Sequence, residues 1–349
     1  MATKPLDSCS LEVFPRSSEH TRSGPTRQRR RKQAHHHLGE AVTIDLGNRA
    51  QGLRGPLYLA LGALLWGTAG VASKAATGIE PVSAISIAFY RLLFCLPLLL
   101  AFGWLRYGND LLRVRPGHRL SILVLALTAG LYQIFYFAAV REAGVTLSTL
   151  VSLGGAPFLV ALLATIFLKE RPSRSLLVAL LLAVPGAILL VGLPGEVAGY
   201  SNPALGILLA GCAALSYAAF ALQSRKLAGS YEAIKLVLLG FGGAAVMILP
   251  LALIDGLSLP QQASTWSLLI YMGLLPTAAA YLLFFSGLRH ATATLAGLLT
   301  VLEPLAAAVL AWLLFDERLG PAGLLGAALI IAALLVSSLG GRARRAQTA

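Results

Sequence analysis

The sequence predicts an all-α polytopic membrane protein with ten transmembrane helices, arranged as two inverted five-helix repeats. Hydrophobic residues make up 57% of the 349-residue chain and charged residues only 12%, against about a quarter charged in soluble domains. From Leu57 onward the apolar residues fall into continuous runs close to the ~20 residues that a helix needs to cross a ~30 Å hydrocarbon core. Lys and Arg gather in alternate connections between those runs, as they do in a protein with one basic side.

Residues 1–54 are polar and basic, with Arg27-Gln28-Arg29-Arg30-Arg31-Lys32 followed by His35, His36 and His37. No apolar periodicity runs through them, so they read as a disordered tail. The three histidines offer metal ligands, but a solvated stretch is the plainer reading. No apolar segment follows a short basic start, so a cleaved signal peptide is not expected.

The ten runs lie at roughly 57–76, 82–104, 120–140, 146–168, 175–193, 204–224, 233–254, 266–288, 292–315 and 321–339. A β-barrel would show ~10-residue alternating segments instead. These runs are continuous in Leu, Ala, Gly and Val, and a backbone in lipid must satisfy its polar groups within each segment, which selects helix.

One set of connections holds Arg106, Arg113, Arg115 and Arg119, then Lys169, Arg171 and Arg174, then Arg225 and Lys226, then Arg289. The other set holds Lys74, Arg141 and Arg318. Positive flanks stay cytoplasmic, so both tails, including the short basic segment 341–349, are expected inside a cell (plasma or inner) membrane. The net charge of +13 is then topology rather than a nucleic-acid footprint, since no basic face is studded with aromatics. Cys9, Cys95 and Cys212 are scattered and odd in number, which implies neither a disulfide framework nor a metal site.

Repetition is visible directly. Ala156-Pro157 through Phe167-Leu168-Lys169-Glu170-Arg171 lines up with Glu303-Pro304 through Leu314-Phe315-Asp316-Glu317-Arg318 at an offset of 147 positions. Leu65-Trp66-Gly67 with Ser73-Lys74 lines up with Ser216-Tyr217-Ala218 with Ser224-Arg225 at an offset of 151. The first repeat spans 55–194 and the second 203–340. Each holds an odd number of helices, so the second enters the membrane from the opposite side. Inverted repeats of this kind recur in secondary transporters, where two interconvertible halves give two access states around one central site.

Leu65-Trp66-Gly67 with Lys74, Tyr90-Arg91, and Leu302-Glu303-Pro304-Leu305 running to Phe315-Asp316-Glu317-Arg318 together resemble the EamA family of the drug/metabolite transporter superfamily, over about residues 56–340. The resemblance implies ten helices in two inverted EamA-type repeats and ATP-independent export or exchange of amino acids, other metabolites or drugs. One departure stands out. The first repeat has Gly154-Gly155-Ala156-Pro157 where the second has Leu302-Glu303-Pro304, so the carboxylate occurs once.

Glu303 is the sharpest candidate for transport or coupling, because a charge near the centre of a span costs about 2.5–3.5 kcal/mol even on insertion scales. It reads either as a proton-titrating or substrate-binding carboxylate, or as a hydrogen-bonded packing residue. Arg91, well inside the second run, needs a partner, for which Glu303, backbone carbonyls and snorkelling all qualify. Lys74, near the end of the first run, is an interfacial anchor or a substrate contact. Pro157 and Pro304 each remove a donor and free the carbonyl four residues back, on Leu153 and Thr300. Broken helices of this kind line midplane sites in transporters, although a simple kink is the alternative. Trp66 and Tyr217 are mid-span and repeat-equivalent, and with Tyr132 and Gln133 they are candidates for a cavity wall. Tyr136, Gln223 and Tyr281 fit the same role less specifically. Gly240-Phe241-Gly242-Gly243-Ala244-Ala245 sits in an apolar run without a preceding strand, so it reads as a close-packing surface, not a dinucleotide loop.

These features predict a secondary transporter working by alternating access on a small-molecule substrate in the lipid bilayer, with H+ as one coupling option and no cofactor. Uptake is the alternative to efflux or exchange. An intramembrane enzyme is the alternative from another class, and neither H-E-x-x-H nor G-x-S-x-G supports it.

Overall fold

The computed structural model describes residues 27–191, 202–316 and 319–348. The chain divides into two compact units, Met1–Ala50 and Gln51–Ala349. In the first, residues 27–50 are helical, where the sequence predicts a disordered tail. Residues 1–26 of the expected tail lie outside the described residues.

In the second unit ten helices are long and apolar enough to cross a membrane. They are α1 (Leu53–Ile79), α2 (Ala84–Asp110), α3 (Pro116–Gly144), α4 (Leu147–Phe167), α5 (Arg174–Val191), α6 (Pro203–Ala228), α7 (Ala233–Ile254), α8 (Ala263–Leu288), α9 (Ala293–Phe315) and α10 (Pro321–Gly340). Each corresponds to one predicted run. Their ends follow local chemistry. Ser83 caps α2 by accepting from the Ser86 amide at 3.2 Å, and Asn202 and Thr292 cap α6 and α9 in the same way. Between α3 and α4 there is scarcely a loop. The helical trace turns at Gly144, whose φ of 79° is open to glycine and strained for other residues.

Two carboxylates join helix ends across the sequence. Glu80, just past α1, accepts from the amides of Gln261 and Gln262 at 2.8 and 3.1 Å, ahead of α8. Glu170, just past α4, accepts from the amides of Ala293 and Thr294 at 2.9 and 3.2 Å and from the Thr294 hydroxyl at 2.9 Å, at the start of α9. Glu170 satisfies unpaired first-turn amides of α9, Glu80 takes the N-cap amide of α8 and the one before it, and each places a negative charge at the positive end of a helix.

Packing exchanges helices between the repeats. α1, the first helix of repeat one, lies against α8 and α9 of repeat two: a Cβ on Gly62 would meet the Ala280 carbonyl oxygen at 2.9 Å, and one on Gly67 the Glu303 carbonyl oxygen at 2.6 Å. α6, the first helix of repeat two, lies against α3 and α4 of repeat one, with Gly206 against Ala143 and Gly155 facing Ala214. The contacts of Gly55 with His290 and of Gly206 with Ala143 occupy equivalent positions in the two copies. α5 and α10 cross where Gly186 and Gly326 meet and bury Ala179, Ala183, Ile330 and Ala333 together with Leu298 and Val301 of α9.

Candidate functional site

The exchanged helices leave a cavity of about 480 Å³ between the repeats, lined from α1, α2, α3, α4, α6, α8 and α9. Trp66, Lys74, Arg91, Tyr132, Gln133, Tyr217 and Glu303 all face it. The cavity begins at mid-span, where Trp66, Tyr217 and Glu303 lie. It reaches Thr77, Val82 and Ala84 around the α1–α2 connection, on the face opposite the basic connections. Toward the basic face it is floored by packed rings. Tyr281 stands 4.4 Å from Phe241 and 4.8 Å from Trp66, centroid to centroid, and Phe220 packs on Tyr281, Phe284 and Phe285.

The two prolines behave differently. α9 is interrupted, with regular helix over Ala293–Leu299 and Leu302–Phe315. The Thr300 carbonyl that Pro304 cannot engage accepts instead from the Glu303 amide at 3.0 Å. The break therefore sets Glu303 in the first turn of a new helix segment, facing the cavity. Pro157, by contrast, lies inside a helix whose dihedrals stay helical around it, so of the two responses open to it, break or simple kink, the helix is not broken here. Pro157 is buried against Gly297 of α9, and Gly155 faces Ala214 of α6, so α4 is packed from both sides. Neither proline lines the cavity, but Leu153 and Thr300, whose carbonyls they leave, both do.

The Trp66-Gly67 pair has a double role. The Trp66 ring packs on Tyr281 and Phe284, while Gly67 lets α1 touch the backbone of α9 at Glu303 and Ala307 and the Ala306 methyl. Any side chain at 67 would push the α9 segment that carries the carboxylate.

Arg91 has a partner that the sequence reading missed. α8 contains a π-helical stretch, Leu274–Ala279, around Pro276. Pro276 has no N–H for the carbonyl of Met272, four residues back. The Thr277 hydroxyl donates to that carbonyl at 2.7 Å and accepts from Arg91 Nε at 3.3 Å. α2 approaches closely here, since a Cβ on Gly273 would meet Phe94 Cβ at 2.6 Å and the Arg91 carbonyl at 3.2 Å. Anchored in this way, Arg91 lines the cavity. No Arg91 nitrogen lies within 4.0 Å of a Glu303 carboxylate oxygen, so the direct ion pair weighed from sequence is not formed. Pro276 with Thr277 was the available signal, the same proline reasoning applied one helix earlier.

Lys74 sits at the rim, with Nζ 4.8 Å from the centre of the Phe315 ring at the end of α9. Tyr132 packs on both Tyr136 and Tyr217, and the Tyr136 hydroxyl shares a 2.8 Å hydrogen bond with Thr149. Trp66 Nε1 and the Tyr217 hydroxyl are buried without a hydrogen-bond partner. A buried unpaired donor is costly in a folded protein, and these two sit at repeat-equivalent positions on the wall of one cavity. Among the described residues no group of His, Cys, Asp and Glu is placed to hold a metal ion.

A ten-helix membrane bundle with an internal duplication and a polar, aromatic-walled cavity at the junction of its repeats has the architecture of a membrane transporter. The chain belongs to the EamA-like transporter family, whose model matches residues 53–192 and again 204–339. It is similar to the uncharacterized transporter YwfM of Bacillus subtilis, with 30% identity over 83% of this chain and 95% of that protein. It is similar also to the uncharacterized inner membrane transporter YicL of Salmonella typhimurium, with 24% identity over 85% and 98%. The match to the protein PecM of Dickeya dadantii is 28% identical over 60% of this chain and 70% of PecM. A crystal structure with 21% identity superposes with a TM-score of 0.69 over 82% of this chain and 97% of the other, a likeness of fold.

Proposed function

We propose that the chain is a secondary active transporter of small metabolites such as amino acids or drugs, and that the cavity around Glu303 is its substrate site. The observation that carries this reading is the position of the cavity. It lies where the two repeats exchange helices, it is reached from one membrane face, and a layer of aromatic side chains closes it from the other. Rocking the repeats about this seam would open the floor and close the mouth, which is alternating access. The two repeats act as the moving halves, both termini face the cytoplasm of a cell (plasma or inner) membrane, and the cavity as described is open outward.

Within the site, the Arg91 guanidinium and the rim ammonium of Lys74 attract the anionic part of a solute. The Trp66 and Tyr217 donors orient it against the ring wall. Glu303, the carboxylate of the set, either carries a coupling proton or receives a cationic part. Efflux or exchange is the working direction. Purified protein in liposomes, screened with pooled radiolabelled amino acids and other metabolites under an imposed pH gradient, tests this. Saturable flux that Glu303→Gln abolishes, in a variant that purifies as a folded monodisperse protein, is the expected result. Full gradient-driven flux in Glu303→Gln would overturn the assigned role of Glu303. Gradient-independent saturable flux in the unmodified protein would replace proton coupling with exchange or facilitated transport.

A further inference from the structure

A second cavity, of about 630 Å³, opens on the basic face, well away from the first. It is lined by the end of α2 and the α2–α3 connection of repeat one (Tyr107, Asp110, Arg113, Val114, Arg115), by the α6–α7 connection and first turn of α7 of repeat two (Gly229, Ser230, Tyr231, Glu232, Lys235) and by Arg289 just past α8. Both carboxylates in it are already engaged. Glu232 takes two hydrogen bonds from Arg289, at 3.3 and 3.2 Å, and Asp110 is 3.4 Å from Arg113. Arg289 is committed further, donating to the Ala228 and Tyr231 carbonyls at 2.8 and 3.0 Å. It is part of the frame.

The remaining cations are not used up. Lys235 Nζ spends one N–H on the Asp110 carbonyl, at 2.6 Å, and rests 5.1 Å over the Tyr107 ring. Lys235 lines the cavity with N–H capacity beyond that one bond. Arg115 is exposed, and its backbone rather than its guanidinium is tied down, through the Tyr231 hydroxyl at 3.1 Å. The site therefore combines two carboxylates that each have an arginine partner with two further cations, Arg115 and Lys235, around an open depression. Beside it on the same helix end and loop, Trp104, Leu105 and Leu112 expose large apolar side chains, as a surface bathed in acyl chains would. Basic pockets between membrane helices at this level suit anionic headgroups.

We propose that this pocket binds a phosphate group, supplied by the headgroup of an anionic phospholipid, with Arg115 and Lys235 as its principal contacts. A phosphate held there bridges a connection of repeat one to a connection of repeat two. It would stabilise whichever access state keeps those two connections together, so the lipid acts as a regulator of the transport cycle without entering the substrate cavity.

The test measures binding and so stands apart from the transport reading. Full-length protein in an uncharged detergent is titrated with phosphatidylglycerol, with phosphatidylcholine and with inorganic phosphate, following the melting temperature and, by native mass spectrometry, retained lipid. Phosphatidylglycerol is expected to raise the melting temperature saturably and to remain bound at one copy, while phosphatidylcholine does neither. Arg115→Gln combined with Lys235→Gln should weaken this binding about tenfold or more, while Arg119→Gln, an exposed neighbour outside the pocket, should leave it unchanged. The single variant Arg115→Gln carries the same expectation in smaller measure if the double variant does not purify. An equal saturable response to inorganic phosphate would keep the site and assign it to a soluble phosphate instead. Unsaturable binding, wild-type affinity in the pocket variants, or an equal loss in Arg119→Gln would overturn the proposal.

Discussion

At the scale of single residues, the site is organised by side chains that repair the backbone. Thr277 occupies the carbonyl that Pro276 abandons and, in doing so, fixes Arg91. Thr277→Val removes both bonds at nearly constant volume. Interhelical hydrogen bonds in membranes contribute about 0.6–2 kcal/mol, so a modest fall in melting temperature is expected alongside a large fall in transport, with Thr277→Ser restoring both. A stability loss without a transport defect would separate Arg91 from function. Glu80 offers a pH-dependent counterpart outside the spans. The nearby Thr265 hydroxyl and the amides of Gln261 and Gln262 hold its carboxyl below the usual carboxylate range. A carboxyl depressed in the folded state stabilises fully above its unfolded pKa, and that contribution fades as pH falls toward the folded value. The melting temperature of Glu80→Gln should accordingly lie below wild type at neutral pH and converge with it in acid. A gap that persists in acid would exclude the ionised carboxylate as its cause.

At the scale of helices, equivalent sequence signals have unequal outcomes. Pro157 and Pro304 match in the alignment, yet one helix runs on and the other breaks. Proline specifies a missing donor. Whether the chain bends or breaks depends on what packs around it, which the sequence does not display. The ten spans were legible because each is long and continuous; that Trp66 and Tyr217 share a cavity wall was legible because the repeat equates them, and that Glu303 faces it was legible because a mid-span charge must avoid lipid. The π turn and the Arg91–Thr277 bond were not, since they depend on α2 meeting α8 at Gly273, a contact between distant segments. The break in α9 gives a further expectation. Gly67→Leu would drive a side chain into the Glu303 carbonyl and Ala306, and overpacking of this kind costs about 1–3 kcal/mol. It should lower the melting temperature and depress transport even though no polar group is lost, whereas Ala218→Leu, at the equivalent place in the other repeat, meets no carboxylate segment and should spare substrate binding. Equal effects from the two variants would argue against a special role for the α1–α9 contact.

At the scale of the whole bundle, packed rings close the cavity toward the basic face, and on that face Glu170 holds the start of α9. Thr77→Cys and Val140→Cys, at the mouth, should react with a membrane-impermeant thiol reagent from the opposite face, and Phe284→Cys, in the floor, should not. Glu170→Gln weakens the hold on the Ala293 and Thr294 amides, so it should shift the population toward the other state and make Phe284→Cys reactive from the basic face. Labelling of Phe284→Cys that ignores Glu170→Gln would remove the clamp from the cycle.

The exchange of first helices also has a consequence for biogenesis. α1 is synthesised early, but the surfaces it needs, on α8 and α9, are made near the end of translation, and α6 in turn completes a groove that α3 and α4 have held open since the first repeat emerged. Neither half owns a finished interior. The nascent chain must therefore keep Gly55, Gly62 and Gly67 facing lipid or an insertion chaperone until the last third of the protein arrives, and a truncated product would expose this helix-packing stripe to quality control. Two halves expressed as separate chains, in the same membrane, could still find each other through it.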